Sequence, residues 1–239
     1  VGGSDGSVTP FTLALICAPR LLPESDGSDA DHISRPFDGE RRGGILSEGA
    51  GVLVLEALEH ALARRAHIYA EVLAHANNAE AHRMIEIADD GSFLERAMRL
   101  TLSRAGLLPT QVDYISAHGP SDGCDTQETR AIKRVFGAHA YRIAVSSIKS
   151  MIGNPFAAAG PLQAISTALA LEHQQVPPTI NYSTPDPECD LDYVPNKARV
   201  CRVRVALVNS HGFGGANHCI ALSKWPWRRG KSPAPGFEE

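Results

Sequence analysis

The sequence predicts an α/β fold: a largely parallel, mixed sheet covered by helices on both faces. Three observations carry that expectation. From residue 51 onward, apolar runs of strand length alternate with segments of helical spacing. The linkers between them are short, which suits strand–helix–strand crossovers. The last two apolar runs are separated only by His211-Gly-Phe-Gly-Gly215 and are therefore expected to be antiparallel neighbours.

In order along the chain, 10–18 is expected to be a helix, with Thr9 as N-cap and Pro10 at the first helical position. Residues 23–51, rich in Gly, Asp, Ser and Pro, are expected to form one long functional or mobile loop. Residues 51–56 predict a buried strand, 57–65 a helix and 68–75 a second strand. A helix is expected over 92–105, stopped by Gly106. Strands over 112–117 and 142–147 flank a helix over 126–136. The Ala-rich stretch 157–173 carries few charges and is expected to be a helix buried on most sides. Strands 200–210 and 217–223 follow, then a basic, Pro/Gly-rich tail over 224–239 expected to be disordered.

The composition narrows the function classes. With 23 Lys and Arg against 27 Asp and Glu among 239 residues, the formal charge is −4, so no global basic field exists to hold a nucleic acid. No apolar run approaches the roughly 18 residues that span a bilayer. The five cysteines are scattered, odd in number and without a CxxC, which argues against a disulfide framework and for a reducing, cytoplasmic setting. No residues show metal-ligand spacing.

Three loops at expected strand ends carry polar or glycine-rich signals: 117–122, 147–155 and 209–217. Taken singly, His118 reads as a satisfied structural histidine, Lys149 as a loop lysine, and Gly212, Gly214 and Gly215 as a tight turn. Three such loops at strand carboxyl ends are placed to converge on one site. His211 is either a titrating group beside that site or a packed, neutral imidazole. Arg41 and Arg42 are expected to be solvated, and His60, His67, His82 and His139 to lie on the surface.

In order and spacing, several segments resemble one family. They are Ser34-Arg-Pro-Phe-Asp38, Gly49-Ala-Gly-Val-Leu-Val-Leu-Glu56, Tyr114-Ile-Ser-Ala-His-Gly119, the helix from Glu128 to Gly137, and Val145-Ser-Ser-Ile-Lys-Ser-Met151. Pro177-Pro-Thr-Ile-Asn181, Pro185 to Asn196, and Gly212-Phe-Gly-Gly215 complete the set. Together they resemble the C-terminal portion of the β-ketoacyl-acyl-carrier-protein synthases, the elongating condensing enzymes. The resemblance implies a thiolase-like fold layered α-β-α-β-α. Residues 1–75 would be the end of the first repeat and 76–223 the whole second repeat.

The same resemblance implies decarboxylative Claisen condensation of an acyl thioester with a malonyl-carrier, in fatty-acid or polyketide-type synthesis. The substrates would ride on the phosphopantetheine of an acyl carrier protein, with no cofactor of the enzyme's own. A homodimer, or a heterodimer with a related synthase, is implied as well. His118 matches the first of the family's two histidines, Lys149 its lysine and Glu128 the partner of that lysine. Phe213 matches the gating phenylalanine, with Gly214 beside it at the oxyanion hole, and Ser121 stands among hydroxyls that hold pantetheine.

There are three departures. The family's nucleophilic cysteine lies upstream of the segment matching Val1, and none of Cys17, Cys124, Cys189, Cys201 or Cys219 takes its place. Asn154 stands where the second histidine would be; its amide donates a hydrogen bond but carries no proton at neutral pH. The related initiating synthases and the chalcone-synthase-like enzymes use a Cys-His-Asn set, so Asn154 is compatible with decarboxylation or marks a degenerate site. The loop His118-Gly-Pro-Ser-Asp122 lacks the usual threonines, and Asp122 would repel a phosphate. The alternative function is a non-catalytic, chain-length-factor-like partner or a truncated inactive product.

Overall fold

A computed structural model of the chain describes residues 1–18, 22–23, 30–82 and 88–226. The tail expectation for 227–239 lies outside the described residues, and so does part of the loop over 23–51. The chain order is β1 (Gly2–Asp5), α1 (Pro10–Cys17), β2 (Gly49–Val52), α2 (Leu58–Ala63), β3 (Ala70–Ala79), α3 (Ser92–Ala105), β4 (Tyr114–Ser116) and α4 (Cys124–Phe136). It continues with β5 (Ala144–Ser146), α5 (Lys149–Ile152), α6 (Ala159–His173), β6 (Gln175–Val176), β7 (Arg199–Val200), β8 (Val205–Gly212) and β9 (Ala216–Lys224).

The central sheet has five strands in the order β3-β9-β8-β4-β5. β4 runs parallel to both β5 and β8, while β9 is antiparallel to β8 and β3, so the sheet is mixed as expected. Its side chains alternate between two apolar clusters. Ile115, Val145, Val205, Leu207, Cys219 and Ala221 face the side covered by α3 and α4. Tyr114, Ala144, Ala206, Val208 and Leu222 face the other side, which packs against α6. Fully removing such a Leu or Ile from water is worth about 1.5–3 kcal/mol, and Met98, Ile115 and Leu207 are fully buried.

Local signals hold where the chemistry is local. Thr9 caps α1 by accepting from the Thr12 amide at 3.2 Å, and Gly106 ends α3 in the left-handed conformation, φ 64°. Three expectations change. The run 51–56 is not a buried strand: β2 spans Gly49–Val52 and pairs with β1, while Val52 and Val54 are 75% and 82% exposed. The run 200–210 is two strands. β7 pairs with β6, and β8 begins after Arg204, whose amide donates to the Asp113 carboxylate at 2.8 Å. The strand read over 68–75 runs to Ala79 inside the five-stranded sheet, so the boundary expected after residue 75 cuts through β3. α6 faces the central sheet through Gln163, Ala164, Thr167, Ala170 and Leu171 and packs against β1 and β2 with another side, so that only Leu169 and His173 of the helix are exposed, as its composition predicts. Among the described residues no helix is long and apolar enough to cross a membrane.

Candidate active site

The carboxyl ends of the adjacent strands β5, β4 and β8 bring the three signalled loops together. A cavity of about 950 Å³ lies there, lined among others by His118, Cys124, Asn154, Phe156, His211 and Phe213. Lys149 and Glu128 do not line it; they are buried behind His118, 2% exposed each.

His118 follows β4 directly, and its loop is held from α4. The Glu128 carboxylate accepts from the amides of His118 at 3.1 Å and Gly119 at 3.0 Å, and from the Asn209 side chain at 3.0 Å. Burial raises the Glu128 carboxyl, and these three donors together with the charge of Lys149 oppose that rise. Gly119 has φ 41°, and a Cβ there would lie 2.6 Å from the Ser147 Cβ, so only glycine lets the β4 and β5 loops approach this closely. The Ser147 hydroxyl donates to the Gly119 carbonyl at 2.7 Å and closes that contact.

The His118 ring has its tautomer set by its surroundings. Its Nδ1 accepts from the His211 backbone amide at 3.1 Å and faces Lys149 Nζ at 3.3 Å. Burial, then the charge of Lys149, hold its pKa well below the ordinary histidine value. The ring is therefore neutral, with its proton on Nε2, and serves as a hydrogen-bond donor.

Lys149, at the start of α5, donates from Nζ to the His118 carbonyl. Its expected pairing with Glu128 is not an ion pair: the two groups influence each other through space, and each bonds separately to the His118 segment. Burial pushes the ammonium down to about 8, against the pull of Glu128. Below pH 8 both folded and unfolded chains hold this proton. Between about 8 and 10.5 the unfolded chain holds more, so this group adds stability as pH rises through that window. The stability difference between wild type and Lys149→Met is expected to move toward the wild type across pH 8, as read from urea titrations on either side of it. A flat difference would place the ammonium in water.

Asn154 is tied by its backbone. Its amide donates to the Ile45 carbonyl at 2.7 Å, and its carbonyl accepts from Ser47 at 3.2 Å. Among the described residues its side chain makes no hydrogen bond, which leaves the amide to a ligand in the cavity. Phe213 is 53% exposed at the end of β8, and Gly214 follows with φ 81°.

Ser121 departs from expectation. It is fully buried with φ 75°, its hydroxyl accepts from the Arg35 amide at 2.9 Å, and it does not line the cavity. Proline at 120 and the Asp125 carboxylate, which accepts from the Ser121 amide at 3.2 Å, turn it inward. Arg41 is likewise not solvated: its guanidinium bonds Asp186 at 2.5 Å, Thr126 at 2.6 Å and the Asp122 carbonyl at 3.0 Å. His211 is the packed imidazole of the two readings. Glu80 accepts from the Asn217 amide nitrogen at 2.9 Å, so the Asn217 oxygen accepts from His211 Nδ1 at 3.0 Å, and burial lowers the ring's pKa. No cysteine is an activated thiol within the site: Cys124 lines the cavity, but burial and then Asp122 push its thiol up. Cys189, Cys201 and Cys219 are also raised by burial.

Two supporting residues escaped the sequence reading. Asn209 holds Glu128, and Gln163 of α6 donates to the carbonyls of Ala117 at 2.7 Å and Asn209 at 3.1 Å, stitching β4 to β8 beneath the site. A lone amide inside an otherwise Ala-rich apolar helix was the available signal for Gln163.

Residues 69–183 match the family model described as the beta-ketoacyl synthase C-terminal domain. The chain is 46% identical over 225 residues, 94% of its length and 54% of the relative's, to 3-oxoacyl-[acyl-carrier-protein] synthase 2 of Synechocystis. It is 45% identical to a putative polyketide beta-ketoacyl synthase 1 of Streptomyces halstedii, covering 93% of this chain and 53% of that one. A solved complex of a type II polyketide acyl-carrier protein with its ketosynthase bound to the hexaketide (AntDE:AntF) is similar at TM-score 0.90 and 39% identity, over 92% of this chain and 54% of that one. The ishigamide ketosynthase/chain length factor is similar at TM-score 0.84 and 37% identity, over 93% and 53%. The chain spans about half the length of the curated relatives it matches. With this fold, these loops and that match over residues 69–183, the chain belongs to the beta-ketoacyl synthase family, of thiolase-like fold, and corresponds to the C-terminal half of its relatives.

Proposed function

We propose that the chain supplies the malonyl-binding half of a β-ketoacyl-acyl-carrier-protein synthase, an acyltransferase that condenses an acyl thioester with a malonyl-carrier. One observation carries this reading: a neutral His118 with its proton on Nε2 and an Asn154 side-chain amide with no hydrogen-bond partner among the described residues line the same cavity. Two neutral donors suit a thioester oxygen on which enolate charge develops as carbon dioxide leaves. Lys149 and Glu128 keep His118 in place and neutral, and Phe213 with Gly214 stands at the entrance as the gate. The acylated thiol comes from outside the chain's five cysteines. The substrates arrive on the phosphopantetheine of an acyl carrier protein, the site needs no resident cofactor or metal, and the protein works in the cytoplasm as a homodimer or paired with a related synthase.

Malonyl-pantetheine tests the reading. Isothermal titration is expected to show binding by the wild-type chain and about two- to tenfold weaker binding by Asn154→Ala, the worth of one hydrogen bond. Absence of binding would favour the second reading, a chain-length-factor-like partner, which the raised thiols and the similarity to a ketosynthase/chain length factor structure support.

A further inference from the structure

Phe156 stands where the backbone resists it. Its φ is 35°, a left-handed value that costs a non-glycine residue on the order of 1–3 kcal/mol unless its surroundings hold it there. The surroundings do. Pro155 precedes it, and the Ala158 amide donates to the Pro155 carbonyl at 2.8 Å, fixing the single turn Phe156–Ala158 that leads into α6. The strained turn delivers the Phe156 ring to the cavity wall, 5.5 Å from the Phe213 ring at an interplanar angle of 52°.

The two rings differ in their freedom. Phe156 rides on a braced turn against a long helix. Phe213 lies between Gly212 and Gly214, and a Cβ added at Gly214 would meet nothing within 4 Å. One leaf is fixed and one can swing. Beside them the wall continues with apolar residues, Leu15, Ile16, Leu46 and Ala159.

We infer that Phe156 is a specificity-determining residue, the fixed half of an aromatic clasp that must part from Phe213 before a long apolar acyl chain enters the cavity. The inference rests on the acyl-thioester reading above and deepens it. The clasp sets a penalty that short acyl groups, lying in front of the rings, avoid.

Butanoyl- and dodecanoyl-pantetheine, titrated calorimetrically into the full chain, read that penalty. Phe156→Gly is expected to tighten dodecanoyl-pantetheine roughly three- to tenfold, the ratio that corresponds to an aromatic pair's contact energy, and to leave the butanoyl thioester unchanged. Its melting temperature should hold or rise, because glycine adopts φ 35° freely. Phe213→Ala, on an exposed loop that does not threaten folding, should give the same gain, and the double variant should add little more because either change opens the clasp. Unchanged dodecanoyl affinity in both single variants, or fully additive gains, would overturn the clasp while leaving the ketosynthase reading intact. A folded wild-type chain that binds neither thioester would remove both.

Discussion

Replacing Glu128 with alanine is expected to lower the unfolding free energy by about 3–5 kcal/mol, the range found when one member of a buried charged network is removed. The carboxylate is the sole hydrogen-bond acceptor described for two backbone amides, His118 and Gly119, and it also receives the Asn209 side chain. Its removal strands three donors and leaves the buried Lys149 ammonium without the carboxylate that raises its pKa. Glu128→Gln should cost less, since one oxygen still accepts while the new NH2 group faces donors. Urea unfolding of the three chains at neutral pH checks the order wild type, Gln, Ala. A loss below about 1 kcal/mol for the alanine variant would mean that water replaces the carboxylate without cost.

The second large effect falls on chemistry rather than folding. In a preparation that decarboxylates malonyl-pantetheine, His118→Ala should reduce turnover about 10²-fold or more, the usual consequence of deleting one preorganised oxyanion donor. The ring is neutral because burial and Lys149 hold its pKa well below the ordinary value. The wild-type rate should therefore stay flat on the acid side of neutrality instead of falling as a solvated histidine protonates. His118→Asn keeps an amide donor near the same place and should recover part of the loss. Unchanged turnover in His118→Ala would remove the residue from the mechanism.

How much of this was legible in the sequence depends on the range of the interactions that decide each feature. The helix over 92–105 was fully readable, because apolar spacing and Gly106 are local. The break in the run 200–210 was not, because the Asp113 carboxylate that takes the Arg204 amide lies 91 residues away. The run 51–56 reads as buried from its leucines and valines, yet only β1 pairs with it in the described chain. In the site, the loops at strand ends were legible as neighbours, and His118, Asn154 and Phe213 from them line one cavity. Ser121 was assigned by resemblance, and Pro120, Asp125 and Arg35 turn its hydroxyl away from the cavity. The tautomer of His118 depends on the His211 backbone amide, 93 residues from the ring it addresses.

The alternation of β8 carries a consequence for which kinds of change the gene can absorb. Val205 and Leu207 point to the α3–α4 side, and Asn209 continues that parity to reach Glu128 on α4. The strand is thus a ruler whose odd marks are core first and site later. A point substitution at one mark changes one contact. Deleting one residue between Val205 and Val208 would shift parity for everything beyond it, sending Asn209 toward α6 and exchanging the two apolar stripes in a single step. Length in β8 is therefore the quantity under constraint, and the site inherits its alignment from the spacing of the core.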